Sequence, residues 1–328
     1  MRFLFVVVLA VVLGIGGAGW VWIDRPFALP AGTSIDLSIE PGNSARDVAR
    51  SVEQAGVPAN AAMLYGWFRL SGQSRQIKAG SYEIGEGTTP RSLLQKLVRG
   101  DEALRSITLL EGWTFRQVRE ALMKAEQLKP ESHALAASAL MEKLGKPGMA
   151  PEGRFFPDTY TYSKGSSDLT VLQRAMRAMD KKLESAWAQR SSRTPLKSPE
   201  QALVLASIVE KETGATADRA SVAAVFNNRL RIGMRLQTDP TVIYGMGETF
   251  DGNLRKADLQ RDTPWNTYTR DGLPPTPISM PGSASLLAAV QPAPVKALYF
   301  VARGDGTSQF SATLDEHNRA VNKYQRGQ

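Results

Sequence analysis

The sequence predicts an α+β fold behind an N-terminal membrane-spanning segment. Three observations carry the prediction. Residues 3–23 form an uncharged apolar run of about 21 residues, enough for a helix to cross a bilayer. Beyond it, short runs with strand-like alternation are interleaved with longer runs of helical periodicity. The chain has 328 residues and no cysteine, so packing alone must hold it, and disulfide and thiolate chemistry are excluded. About 300 residues outside the apolar run suffice for two domains. The boundaries fall at 1–25 for a cytoplasmic tip and anchor, 26–150 for a first region and 151–328 for a second.

Each element has its own warrant. Arg2 precedes the apolar run, and Asp24 and Arg25 follow it. That places the N-terminus in the cytoplasm and the remainder outside, with Trp20 and Trp22 at the outer interface. Gly16-Gly17-Ala18 resembles a cleavage site. The apolar run continues past it, which favours an uncleaved single-pass anchor in the inner (cytoplasmic) membrane. Residues 24–32 read as a stalk with Pro26, Pro30 and Gly32. Residues 34–40 alternate and predict a strand, 44–55 and 59–70 predict helices, and 80–84 predict a second strand. A strand, a glycine turn and a capped helix then recur at 81–98 and 106–125, a weak internal repeat. Residues 130–150 read as a connector, and 151–160 as a loop with three aromatics. Those rings suit either stacking on sugars or plugging the core. Residues 169–187 predict a basic amphipathic helix. After 217–230, another helix, come a polar run at 235–245, proline-rich loops at 264–278, a hairpin around Gly304-Asp305-Gly306 and a closing helix at 314–324.

Net charge is +8. Outside the cytoplasm, this points to anionic lipid or an acidic wall polymer and away from nucleic acid. The only histidines are His133 and His317, far apart in sequence, which argues against a His-based metal site or a serine–histidine triad. No glycine-rich phosphate loop is present.

The most informative stretch is 198–214. Ser198 suits an N-cap, Pro199 the first helical position, Gln201 a capping box and Gly214 a left-handed C-cap. The nearly all-apolar run between them predicts a helix buried on most sides. Glu210 stands at its end. A carboxyl on such a helix loses hydration, holds its proton more tightly and suits a general acid. The alternative reading of the same residue is that it only pairs with Lys211, Arg219 or another cation as the helix ends. Asp239-Pro240 suits an N-cap followed by a first helical residue.

Two resemblances follow from these motifs. The first region, through its element order and the turn Glu40-Pro41-Gly42-Asn43-Ser44, resembles a LysM domain, a module that grips N-acetylglucosamine-containing glycans. The runs 206–213, 235–245, 266–268 and 272–277 closely resemble the MltG/YceG-like family of endolytic murein transglycosylases. That resemblance implies a membrane-anchored enzyme with a LysM-like subdomain and an α+β catalytic domain. Such an enzyme cuts nascent peptidoglycan strands internally and so terminates their elongation. It also implies Glu210 as catalytic acid/base, with no metal or other cofactor. Glu152, Asp158, Tyr160, Gln237, Thr238, Asp239, Asn266 and Tyr268 are the expected substrate-binding residues. The expected partners are peptidoglycan glycan strands, the membrane and peptidoglycan synthases. Two alternatives remain at this point. One is a hydrolytic muramidase with Asp239 or Glu152 as second carboxylate. The other is a non-catalytic glycan-binding scaffold.

Overall fold

The computed structural model describes residue 17 and residues 19–327. The anchor expected at 3–23 falls largely outside the described residues. Among those described, no helix is long and apolar enough to cross a membrane. The described residues form a mixed α+β fold, with helices and three two-stranded sheets. The described chain divides into two compact units, one ending at Arg105 with Thr161–Ser166 added, the other comprising Ser106–Tyr160 and the chain from Ser167 onward.

In the first unit, β1 (Ser34–Ile39) pairs antiparallel with β2 (Gly80–Gly85), so that Ile35 faces Ile84 and Leu37 faces Tyr82. Between them lie α1 (Ala45–Gln54) and α2 (Ala61–Leu70), and α3 (Pro90–Arg99) follows. Leu37, Val48, Val52, Phe68 and Leu93 build the core. Ser44 caps α1 in a capping box with Asp47, and Thr89 does the same for α3 with Ser92. Gly42, with φ of +90°, makes the turn after β1, a conformation that favours glycine. Near the start of the described chain, Arg91 pairs with Asp24 at 2.6 Å and lies over the rings of Trp20 and Trp67. The strand–helix–helix–strand order is the one the alternation predicts.

The next strand, β3 (Leu104–Thr108), pairs with β4 (Thr159–Ser163). The expected 106–110 strand is thus shifted by two residues. β4 was not expected, because the run 151–160 reads as loop throughout. Its Tyr160 and Tyr162 alternate inward, which is the strand signal that the preceding prolines and glycine obscure.

In the second unit, α4 (Phe115–Lys124) is capped by Thr114. The connector that follows is more ordered than its composition implies. It carries a 3-10 turn (Glu131–Ala134) and α5 (Ala137–Lys143). Asp168, fully buried, fastens the turn by accepting from the Ser132 backbone N–H at 3.0 Å and from its hydroxyl.

Next comes α6 (Asp168–Ala188), then α7 (Pro199–Glu212), which lies in the middle of this unit. Every residue of α7 from Ala202 to Val209 is buried, and the helix packs against α6, α8 (Arg219–Arg231), α9 (Asp239–Met246) and α11 (Ser283–Val290). The short α10 (Lys256–Gln260) precedes the proline-rich loops. β5 (Tyr299–Ala302) and β6 (Ser308–Ser311) form the expected hairpin, and α12 (Leu314–Gln325) closes the chain.

Three local expectations are corrected. Gly214 is not a left-handed cap. Thr213 ends α7 in an extended conformation, and its hydroxyl donates to the Val209 carbonyl. Gln201 does not complete a capping box, because its side chain accepts from Lys197 N. Asp239 is the first residue of α9 and not its cap. Its carboxylate is taken by Tyr268, whose hydroxyl donates at 2.6 Å.

Candidate active site

Glu210 is on the last turn of α7, half-buried, where the apolar helix reaches the surface. Its Oε2 accepts the backbone N–H of Gly282 at 2.8 Å. That contact spans 72 residues and is built in two steps. Ser207, one turn before Glu210, accepts from Ile278 N at 3.0 Å through its hydroxyl, and its carbonyl accepts from Ser279 Oγ. These bonds stitch the segment leading to Gly282 onto α7. Met280 then exchanges backbone bonds with the loop before α4: Gly112 N donates to Met280 O, and Met280 N donates to Trp113 O at 2.7 Å.

The second stitch brings Glu111 to the same place. A Cβ built on Gly282 would overlap the Glu111 carboxyl. Gly282 has an ordinary φ of −80°, so the need there is for room and not for conformational freedom. Lys211 donates to Gly112 O at 3.4 Å and lays its chain along that turn. Glu111 as a whole is exposed, but its carboxyl end is partly covered. That burial and the like charge of Glu210 push Glu111 above the usual carboxylate range, opposed by Arg219.

A cleft of about 1250 Å³ opens beside Lys211. Glu152, Tyr244, Trp265, Phe115 and Arg116 are among its lining residues. Glu152 is buried and accepts from Phe115 N through both oxygens, at 3.0 and 3.1 Å, and from the Tyr244 hydroxyl at 3.1 Å. It therefore holds the start of α4, where a carboxylate is well placed. Burial nonetheless dominates and pushes Glu152 up to about 7, against the hydrogen bonds that favour its charge. Tyr244 packs edge-on against Trp265, with centroids 5.5 Å apart.

The raised value makes stability depend on pH. Between about 4.5, the ordinary value, and about 7, the native state holds a proton that the unfolded state has released. The stability that the neutral carboxyl contributes is complete below the lower value and is lost as pH rises through the upper one. Glu152→Gln removes this slope. Denaturant titrations should find the variant about 3 kcal/mol more stable than the parent at pH 8, converging on it below pH 5. Parallel stability curves for the two proteins would exclude this linkage.

The remaining expected residues separate into groups. Glu212 leaves α7 two residues after Glu210 and so points to the opposite side of the helix. There it accepts from the Thr238 hydroxyl. Burial raises its pKa, the Thr238 bond lowers it, Asp239 raises it and Arg229 lowers it. Thr238 is buried, and its N–H donates to Thr267 Oγ1. Gln237 is exposed, with a left-handed φ of +48°, and its N–H donates to Thr267 O. Tyr268 and Asp239 join this cluster through their mutual bond. Asn266 is fully buried. Its amide donates to the carbonyls of Leu259 and Arg261, at 3.0 and 2.7 Å, and its carbonyl accepts from Tyr268 N.

Asp158 is exposed, and its carboxylate accepts from Thr159 N. Tyr160 is in the core, and its hydroxyl donates to Phe156 O. Phe155 is likewise buried, stacked on Phe115 at 5.4 Å. Of the two readings of the aromatic loop, the core-plugging one describes these rings. Glu111, Gly282 and Tyr244 were not among the expected residues. The paired signals Glu111-Gly112 and Pro281-Gly282 are visible in sequence, but nothing local joins them to Glu210.

A sequence model of the YceG-like family matches residues 37–323. The endolytic murein transglycosylase of Bacillus subtilis (strain 168) is 30% identical, over 92% of this chain and 87% of that protein. The endolytic murein transglycosylase of Streptococcus pneumoniae (strain D39) is 25% identical over 97% of this chain, which spans 64% of that protein. A yceG-like protein of Listeria monocytogenes, known from a 2.6 Å crystal structure, aligns with a TM-score of 0.57 at 30% identity, covering 87% of this chain and 98% of that one. With its motifs, its α+β architecture and a family match that runs almost the whole length of the described residues, the chain belongs to the YceG-like family.

Proposed function

We propose that this chain is an endolytic peptidoglycan lytic transglycosylase, with Glu210 as its acid/base. The observation that carries the reading is the setting of Glu210. One carboxyl oxygen is held by the Gly282 N–H, which leaves the other to carry a proton, and the residue stands on a helix that packing renders immobile. The names of the curated relatives support the same activity.

The chemistry needs one such group. The Glu210 proton passes to the glycosidic oxygen between N-acetylmuramic acid and N-acetylglucosamine as the muramyl C1–O bond breaks. The carboxylate then takes the proton of the muramyl C6 hydroxyl, whose oxygen bonds to C1. The proton is restored, a 1,6-anhydromuramyl end is formed and no water is consumed. The nucleophile is intramolecular, so its effective concentration is high. Ordinary glycosidases need a second carboxylate for water or for a covalent intermediate. In this reading the cleft beside Lys211 takes the glycan, with Glu152 and Tyr244 on its wall. The first unit serves as a LysM-like glycan-binding module. The apolar N-terminal run anchors the protein in the cytoplasmic membrane, near the peptidoglycan synthases whose product it cuts.

Mass spectrometry of purified, uncrosslinked glycan strands after incubation with the full-length chain in detergent tests the activity. Internal fragments with 1,6-anhydromuramyl ends are expected. Reducing muramic acid ends would mean hydrolysis, and uncut strands that remain bound would mean a scaffold.

A further inference from the structure

The cleft beside Lys211 is roomier than a site for one compact ligand. Its volume of about 1250 Å³ exceeds the roughly 300–1,000 Å³ usual for pockets that enclose a small molecule. One wall is a stripe of α4. Phe115, Arg119 and Met123 follow one another at four-residue spacing, so they lie along one face of the helix. The stripe starts just after the Gly112 turn that Lys211 contacts. From Phe115 to Met123 it runs about 12 Å along the helix axis.

The two ends of this wall differ in chemistry. At the Phe115 end, Glu152 joins the start of α4 to Tyr244, on which Trp265 packs. Rings and hydrogen-bonding groups of this kind suit sugars. Further along, the lining is Arg119, Met123, His133 and Ala137. Met123 is 43% exposed, a large apolar side chain left open on a cleft wall. Thioether, methyl and guanidinium groups match an uncharged polyol poorly and an anionic peptide well.

The charges sharpen the contrast. Of the acidic groups that line the cleft, Glu152 is engaged by Phe115 N and Tyr244, Glu248 pairs with Arg116 at 3.4 Å, and Glu120 is exposed, where an ion pair is weak. Arg119 is half-buried and held in another way. Its Nη2 donates to the carbonyls of Ser132, His133 and Leu135, at 3.0, 2.6 and 3.2 Å, and its guanidinium lies 5.7 Å from the centroid of the Phe115 ring. Carbonyls and a ring fix the group without cancelling its charge. The result is a pre-oriented cation on a largely apolar wall, and a guanidinium so fixed suits a carboxylate.

In peptidoglycan, each N-acetylmuramic acid carries a short peptide with free carboxylates on its lactyl ether. We propose that the α4 wall is the site for this peptide and that Arg119 is the specificity-determining residue, pairing with a peptide carboxylate. This inference rests on the reading of the chain as a peptidoglycan-cleaving enzyme. It adds that the substrate is the peptide-bearing strand and not bare glycan.

The test compares two uncrosslinked strands, one with its peptides intact and one stripped of them by an amidase, as substrates for the full-length protein in detergent. The parent should favour the peptide-bearing strand in kcat/KM, and Arg119→Gln should cut that preference about tenfold through KM. Arg119→Lys, which keeps the charge but not the planar fork, should retain part of it. Loosening of the turn at 132–135 would slow both strands alike and leave the preference where it was. An unmoved preference, or a parent that has none, overturns the proposal. Strands whose peptide carboxylates are amidated test the parent alone, whatever the folding of the variants. Their kcat/KM should fall towards that of stripped strands, and a value equal to that of intact strands would overturn the proposal. If the parent cuts no strand, the transglycosylase reading fails, and affinity for the same strands decides the inference by itself. Tighter binding of the peptide-bearing strand that Arg119→Gln abolishes supports it, and equal binding overturns it.

Discussion

Glu210→Gln is expected to lower strand cleavage by about 10³-fold or more with little change in stability. The size follows from the double use that the proposed mechanism makes of the group. A glutamine supplies neither the proton for the leaving oxygen nor the base for the C6 hydroxyl, so both halves of the reaction are lost with one substitution. The small structural effect follows from the geometry. The glutamine amide oxygen still accepts from Gly282 N, and the apolar residues that fix α7 are untouched. Product counting by mass spectrometry with a thermal melt checks both parts. Retained cleavage in a folded variant would remove Glu210 from the mechanism.

Asn266→Ala should have the largest effect on stability, a loss of about 3 kcal/mol. Asn266 is completely buried, and its side chain is fully engaged by backbone groups: the Leu259 and Arg261 carbonyls on one side and the Tyr268 N–H on the other. Truncation leaves these partly buried backbone groups without the partner that joins them. Tyr268 also loses its register, and with it the hydroxyl that holds Asp239. Urea unfolding measures the loss. A change below about 1 kcal/mol would mean that the loop is held by its prolines and by Trp265, whose indole N–H donates to Thr276 Oγ1.

Much of the fold was legible because its signals are local. The alternation at 34–40 and the capped periodicities after it give β1, α1 and α2 within a few residues. Ser198 and Pro199 open α7 where the capping rules place them. The misreadings arise where tertiary contacts outrank local preference. Gly214 need not adopt a left-handed turn once Thr213 bonds back to Val209. Asp239 is drawn from capping to Tyr268. β4 is hidden because its strand period covers five residues next to two prolines and a glycine. The site divides in the same way. Glu210 was legible as a carboxylate that ends an apolar helix. Glu111 and Gly282 were not, because their link to it is made by backbone bonds between segments far apart in sequence. Asn266 and Tyr160 show the converse. A polar or aromatic residue in a loop invites a binding role, yet both are engaged by the protein's own backbone.

The burial of α7 on every side bears on how this enzyme fails. Amides from Leu203 to Val209 have no route to solvent short of dissolving the unit's core, so their hydrogen exchange reports global unfolding. Glu210 is fixed to that slow-exchanging segment. In the proposed mechanism the acid/base carboxyl would therefore keep its backbone anchorage through every fluctuation short of global unfolding.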